Sequence, residues 1–95
     1  MYTNTNETKL VNVDFANMLT DFHITNREKE VLSYLAQGKT NKEISKQLTL
    51  SPSTVRNHIS NIFIKLKISN RSQATAIAIY AGLVNFSPNS NNITN

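Results

Sequence analysis

The stretch Thr40–Leu66, TNKEISKQLTLSPSTVRNHISNIFIKL, decides the fold of this chain. Thr40 and Glu43 stand three residues apart, the spacing at which each side chain satisfies a free amide in the other's turn. Ile44 and Leu48 follow one helical turn apart, so a short helix with one buried stripe is expected. Thr49 and Leu50 fall in a turn. Ser51 then caps a longer helix, with Pro52 at the first position, where a missing N–H costs nothing. At about 100° per residue this second helix has two distinct sides. Val55, Ile59, Ile62, Phe63 and Leu66 gather on one, and Ser53, Arg56, Asn57, Ser60 and Lys67 on the other. Two short helices joined by a tight turn, the second with an apolar back and a polar front, read as a helix-turn-helix.

Working outward, Thr25 and Glu28 make another capping box, Val31, Leu32, Leu35 and Ala36 share a face, and Gly38 supplies the stop. Downstream, Ser69 or Asn70 caps a further helix, with Asn70 and Gln73 at box-like spacing. This helix runs to about Ala81 before Gly82. Upstream, Phe15, Met18, Leu19 and Phe22 lie at i, i+3, i+4 and i+7, with Asp14 as the expected cap. The expected architecture is therefore all-α. Residues 1–22 form an extension with a short amphipathic helix at 14–22, residues 23–84 a four-helix domain, and the Asn- and Ser-rich residues 85–95 a disordered tail. Asn-x-Ser/Thr triplets at Asn6, Asn70 and Asn92 are incidental in so Asn-rich a chain.

Composition narrows the function classes. The 95 residues suffice for one modest core, and the absence of cysteine removes disulfides, thiol nucleophiles and Cys-based zinc sites. No apolar run is long enough to span a bilayer, and the start MYTNTNETK lacks the pattern of a secretory signal, which favours the cytoplasm. The net charge of +4 is unevenly spread. Residues 1–30 carry three basic and five acidic side chains, whereas residues 39–71 carry seven basic ones against Glu43 alone. The excess sits on the helix-turn-helix, which suits a polyanion such as the phosphate backbone.

The polar front carries the chemistry for reading bases. Arg56 can donate two hydrogen bonds to guanine, Asn57 can pair with adenine, and Ser60 can bond to a base edge one turn on. Phosphate contacts are expected from the helix starts, Thr40 and Asn41, and Ser51, Ser53 and Thr54, and from Lys42, Lys46, Lys65 and Arg71. The bland alternative for each lysine is a solvated surface charge. His23 and His58 lack a surrounding ligand cluster, no Gly-rich phosphate loop exists, and no residues suggest catalysis, so no metal, cofactor or enzymatic role is expected.

The run ITNREKEVLSYLAQGKTNKEISKQLTLSPSTVRNHISNIFIKLKISNRSQATAIA resembles the LuxR-type (LuxR/FixJ, GerE-like) DNA-binding domain. The resemblance rests on Thr25-x-Arg27-Glu28, Gly38, Asn41-x-Glu43-Ile44, Ser51, Thr54-Val55-x-x-His58, Lys65-Leu66 and Arg71-Ser72-x-Ala74, and covers about residues 23–84. It implies a transcription regulator of four helices whose third enters the major groove, with base-reading positions on Arg56, Asn57 and Ser60. Members of the family usually carry an N-terminal phosphoacceptor or ligand-binding domain. The 22 residues before the match are too few for either, so constitutive action, control by abundance or control by a partner protein is the expectation here.

The last helix bears on assembly. Ala74, Ile77, Ala78 and Ala81 form one apolar face, and Ala76, Ile79, Tyr80 and Leu83 the opposite one. A helix apolar all round must be covered on both sides. The first face is expected to close the core. The second is expected to form a homodimer interface, the family's usual use of this helix; the rival arrangement folds Phe15, Met18, Leu19 and Phe22 over it within one chain. The competing function is a protein-interaction module that titrates another regulator or RNA polymerase through this helix. A non-specific architectural DNA protein is a third reading.

Overall fold

A computed structural model describes residues 13–86. Its five helices are α1 (Val13–Asp21), α2 (Asn26–Ala36), α3 (Asn41–Leu48), α4 (Pro52–Leu66) and α5 (Arg71–Tyr80). Every regular element among the described residues is helical, as expected, and α2–α5 are the four helices of the helix-turn-helix domain. Readings placed on residues 1–12 and 87–95 lie outside the described residues.

Each of α2 to α5 starts on a side-chain cap read from the sequence. Thr25 and Thr40 form full capping boxes with Glu28 and Glu43. Ser51 Oγ accepts from the Thr54 amide at 3.1 Å, ahead of Pro52. Asn70 Oδ1 accepts from the Gln73 amide at 2.9 Å. Gln73 does not close a box with Asn70, because its Oε1 accepts instead from the Ser69 amide at 2.9 Å.

The stops follow one rule. A left-handed residue ends each helix: His23, Gly38, Thr49, Lys67 and Gly82 have φ between 55° and 80°. The amide after each reaches back five residues, Ile24 to Leu19, Lys39 to Tyr34, Leu50 to Ser45, Ile68 to Phe63 and Leu83 to Ala78, all within 3.0 Å. This closure satisfies a terminal carbonyl and turns the next residue inward. Ile24 and Leu83 are buried as a result, and Leu50 and Ile68 pack against the core.

That rule corrects several sequence-based placements. Leu83, expected on the outer face of the last helix, is only 6% exposed, because α5 ends at Tyr80 and the closing turn redirects it. Phe22 lies past the end of α1 in its closing turn and is an exposed apolar side chain, not part of a buried face. Asp14 stands inside the first turn of α1, which begins at Val13, so it does not cap it. Phe86, assigned to the tail, packs against the core, and its ring lies 5.9 Å from Lys29 Nζ.

One continuous core lies between α2, α4 and α5, with Val31, Leu32, Leu35, Val55, Ile62, Ala74 and Ala78 almost fully buried. Ile44 brings α3 onto α4, and Leu19 brings α1 onto the same core. Glu28 sits in this packing, 4% exposed. Its carboxylate caps the Thr25 amide at 2.9 Å and takes two bonds from Lys65 Nζ, at 2.8 and 3.1 Å. Burial pushes the Glu28 pKa up, but the Lys65 and Thr25 bonds outweigh it and hold the group below its ordinary value.

Two outcomes follow for stability. Lys65→Met leaves a buried carboxylate uncompensated and should destabilise the fold by about 2 kcal/mol, reduced from the fully buried case because Lys65 reaches solvent. Adding Glu28→Gln should recover part of that loss in denaturant titrations. Because the native pKa of Glu28 is depressed, its contribution is complete above the ordinary glutamate range and is lost as pH falls through the lower native value. The acid limb of the stability curve should therefore flatten in Glu28→Gln.

Candidate nucleic-acid interface

The exposed front of α4 is built by its buried back. Val55 and Ile62 are inaccessible, and Ile59 and Leu66 nearly so, which fixes the rotation of the helix about its axis. Arg56, Asn57 and Ser60 are consequently exposed, and no side-chain hydrogen bond or ion pair among the described residues engages them. The structure thus brings together on one open face the three residues expected to read bases.

At the start of α4, Ser51 Oγ lies 2.9 Å from Thr54 Oγ1 and 3.3 Å from Ser53 Oγ, so three hydroxyls cluster at the first turn of the helix. A second cluster forms at the start of α3. Arg71 Nη1 donates to Asn41 Oδ1 at 2.8 Å and Arg71 Nη2 to the Lys39 carbonyl at 2.6 Å, tying the start of α5 to that of α3. Thr40, Asn41 and Arg71 are therefore neighbours, with Lys42 exposed beside them and Lys46 exposed one turn on. Glu43 is the acidic exception. The Thr40 amide bond lowers its pKa against a smaller burial effect, helped by the Thr40 hydroxyl, Lys39 and Lys46, so it stays ionised as a cap.

Lys65 belongs elsewhere. Its ammonium donates to both Glu28 oxygens and, at 3.1 Å, to the His23 carbonyl, which uses all three of its protons. A lysine so engaged serves the packing of α4 against α2 and has no proton left for a phosphate. Its partner lies 37 residues away, beyond the reach of any local pattern. His58 is half-buried on the flank of α4, and no cluster of metal-ligating side chains occurs among the described residues.

Sequence reasoning also passed over Ile64, which is 73% exposed. The angular sort could have found it, since about 100° per residue sets Ile64 between Ser60 and Asn57 around the axis.

Of the residues expected at a dimer interface, Ala76 is exposed, Ile79 is 39% and Tyr80 52% exposed, and Leu83 is buried. The Phe15 ring stacks on Tyr80 at 5.4 Å, so the rival intrachain covering by α1 is present in part. An open groove lined by Leu35, Ala36, Arg71, Thr75, Ala76 and Ile79 runs between the end of α2 and α5.

Residues 23–78 match the family model of bacterial regulatory proteins, luxR family. Spore germination protein GerE of Bacillus subtilis is 49% identical over 59 residues, which cover 62% of this chain and 80% of GerE. Transcriptional regulatory protein LiaR of the same organism is 46% identical over 69 residues, 73% of this chain and 33% of LiaR. Uncharacterized transcriptional regulatory protein YhcZ, also of B. subtilis, is 45% identical over 58 residues, 61% of this chain and 27% of YhcZ. The chain thus spans a third or less of the length of LiaR and YhcZ. No solved structure matches it significantly.

The lysines can be told apart by salt. Replacing Lys42 or Lys46 with Met should reduce the slope of log affinity for duplex DNA against log salt by about 1 each. Lys65→Met, measured below its melting temperature, should leave the slope unchanged.

Proposed function

The chain belongs to the luxR family of bacterial regulatory proteins, and from that membership we propose that it reads specific double-stranded DNA sequences with α4 in the major groove. The family makes it a DNA-binding transcription regulator domain. The observation that carries the finer reading is the exposure of Arg56, Asn57 and Ser60 on the face of α4 opposite Val55, Ile59 and Ile62. Arg56 has the fork for guanine, Asn57 the paired donor and acceptor for adenine, and Ser60 a short hydroxyl where the helix comes closest to a base edge.

Phosphates on either side of the groove would be held by Ser51, Ser53 and Thr54 at the start of α4, and by Thr40, Asn41, Lys42 and Arg71 around the start of α3. Lys46 adds charge one turn further along. These contacts fix the register of α4 on the duplex without selecting sequence. Lys65 is left out of the set because Glu28 and His23 hold it.

A homodimer would let two copies of α4 read half-sites about one helical turn apart. The surface available for it is Ala76, Ile79 and Tyr80, with the Phe15 ring at its edge. The same exposed apolar side chains are what favours the alternative of an interaction module for another regulator or RNA polymerase.

Mobility shifts against a selected duplex and a random one test the reading. Arg56→Ala and Asn57→Ala should each weaken specific binding by about 1–3 kcal/mol while leaving random-sequence binding nearly intact. Equal loss on both duplexes would point to a non-specific role. For assembly, sedimentation should show the wild-type chain paired on its operator and Ile79→Asp bound as a single copy with weakened affinity. A wild-type chain that stays single on DNA would rule the dimer out.

A further inference from the structure

Ile64 is the most exposed of the large apolar side chains among the described residues, at 73%, and it stands among polar residues. Its neighbours on the open side of α4 are Ser60 and Asn61 before it and Lys67 after it. Nothing in the core requires an apolar residue there, because Val55, Ile59, Ile62 and Leu66 already complete the buried back. By helical geometry Ile64 lies close to the centre of the open arc, one turn and about 6 Å beyond Ser60 along the axis. It therefore continues the row begun by Arg56 and Ser60.

We propose that Ile64 is a specificity-determining residue that packs against the C5-methyl group of a thymine in the major groove. The proposal rests on the reading that α4 enters that groove. Given that reading, the argument is one of elimination by chemistry. The floor of the major groove offers hydrogen-bond donors and acceptors and one apolar group, the thymine methyl. An isoleucine pressed against donors or acceptors would cover them without replacing their bonds to water, which is unfavourable. Against a methyl it removes apolar surface from water on both sides. The β-branched side chain is stiff at χ1 in a helix, so its methyl groups are held in place before binding and little freedom is lost. The arrangement places a thymine at the end of each half-site that lies under the C-terminal part of α4, beyond the base assigned to Ser60.

The test uses a duplex enriched by the wild-type chain from a random library. Each thymine of a half-site is replaced in turn by deoxyuridine, which removes the C5-methyl and nothing else from the base. At one thymine, beyond the Ser60 position, uracil should weaken wild-type binding about fourfold, the transfer value of one methyl group. Ile64→Ala should bind the thymine duplex correspondingly less well and be indifferent to uracil at that position. Arg56→Ala should keep the uracil effect, since it removes a different contact. Ile64 is exposed, so its variants should melt with the wild type.

Identical uracil profiles for wild type and Ile64→Ala, or unchanged affinity in Ile64→Ala, would overturn the assignment while leaving base reading by Arg56 and Asn57 standing. An enriched half-site with no thymine at the outer position would overturn it as well. Failure to enrich any sequence would overturn the base-reading proposal itself, and this one with it.

Discussion

Three segments of the chain meet at the Glu28 carboxylate. It caps the start of α2 through the Thr25 amide, and it receives the last turn of α4 through Lys65, whose remaining proton goes to the His23 carbonyl at the end of α1. A buried charge with one partner missing is costly, so the three segments are correct together or not at all. This matters for α4 because its polar front has no packing to guide it. The angle at which that front is presented comes from the apolar back and from this one polar anchor near the helix's far end. At the start of α4 Val55 is held in the core while Ser51 and Ser53 stay exposed.

The helix starts were legible in the sequence because caps are local. Thr25 with Glu28, Thr40 with Glu43, Ser51 with Pro52, and Asn70 each announce a helix within four residues of their own position. The stops were less legible. Gly38 and Gly82 announce themselves, since glycine adopts a left-handed backbone without penalty. His23, Thr49 and Lys67 adopt the same conformation with a side chain attached, at a cost of roughly 1 kcal/mol each, and nothing in their identity signals it. The compensation is the closing hydrogen bond and the inward apolar residue that follows, Ile24, Leu50 or Ile68. Extending helical periodicity through a stop misplaces what comes after it even where glycine marks the stop, which is why Leu83, the residue after Gly82, was assigned to a surface face.

A similar division runs through the site. The common open face of Arg56, Asn57 and Ser60 was legible because a capped, uninterrupted helix of 15 residues keeps its angular register from end to end. The roles of Lys65 and Arg71 were not, because their partners are 37 and 30 residues distant and depend on how helices cross. A charge count treats these two cations like Lys42 and Lys46, whereas the fold uses one for its core and the other to join two helix starts. Ile64 was overlooked for a different reason. An apolar residue at an angle that belongs to the polar front fits neither the back nor the front, and Ile64 was left out of both.

The coverage of α5 ties the fold to assembly. One side, Ala74, Ile77 and Ala78, is closed chiefly by α2, with small residues that let the two helices approach closely. The other side is only partly closed. The stack of Phe15 on Tyr80 covers one end, and Ala76 and Ile79 remain open. A helix of nine residues such as α1 is marginal by itself and persists through its docking. Its one deeply buried side chain is Leu19. Any surface that engages Ile79 borders on the Phe15–Tyr80 stack, so pairing through α5 and docking of α1 share an edge and must be linked in free energy. Were the chain to pair through α5 as proposed, the Phe15 ring of the preceding extension would form one wall of that surface, so α5 would not act alone.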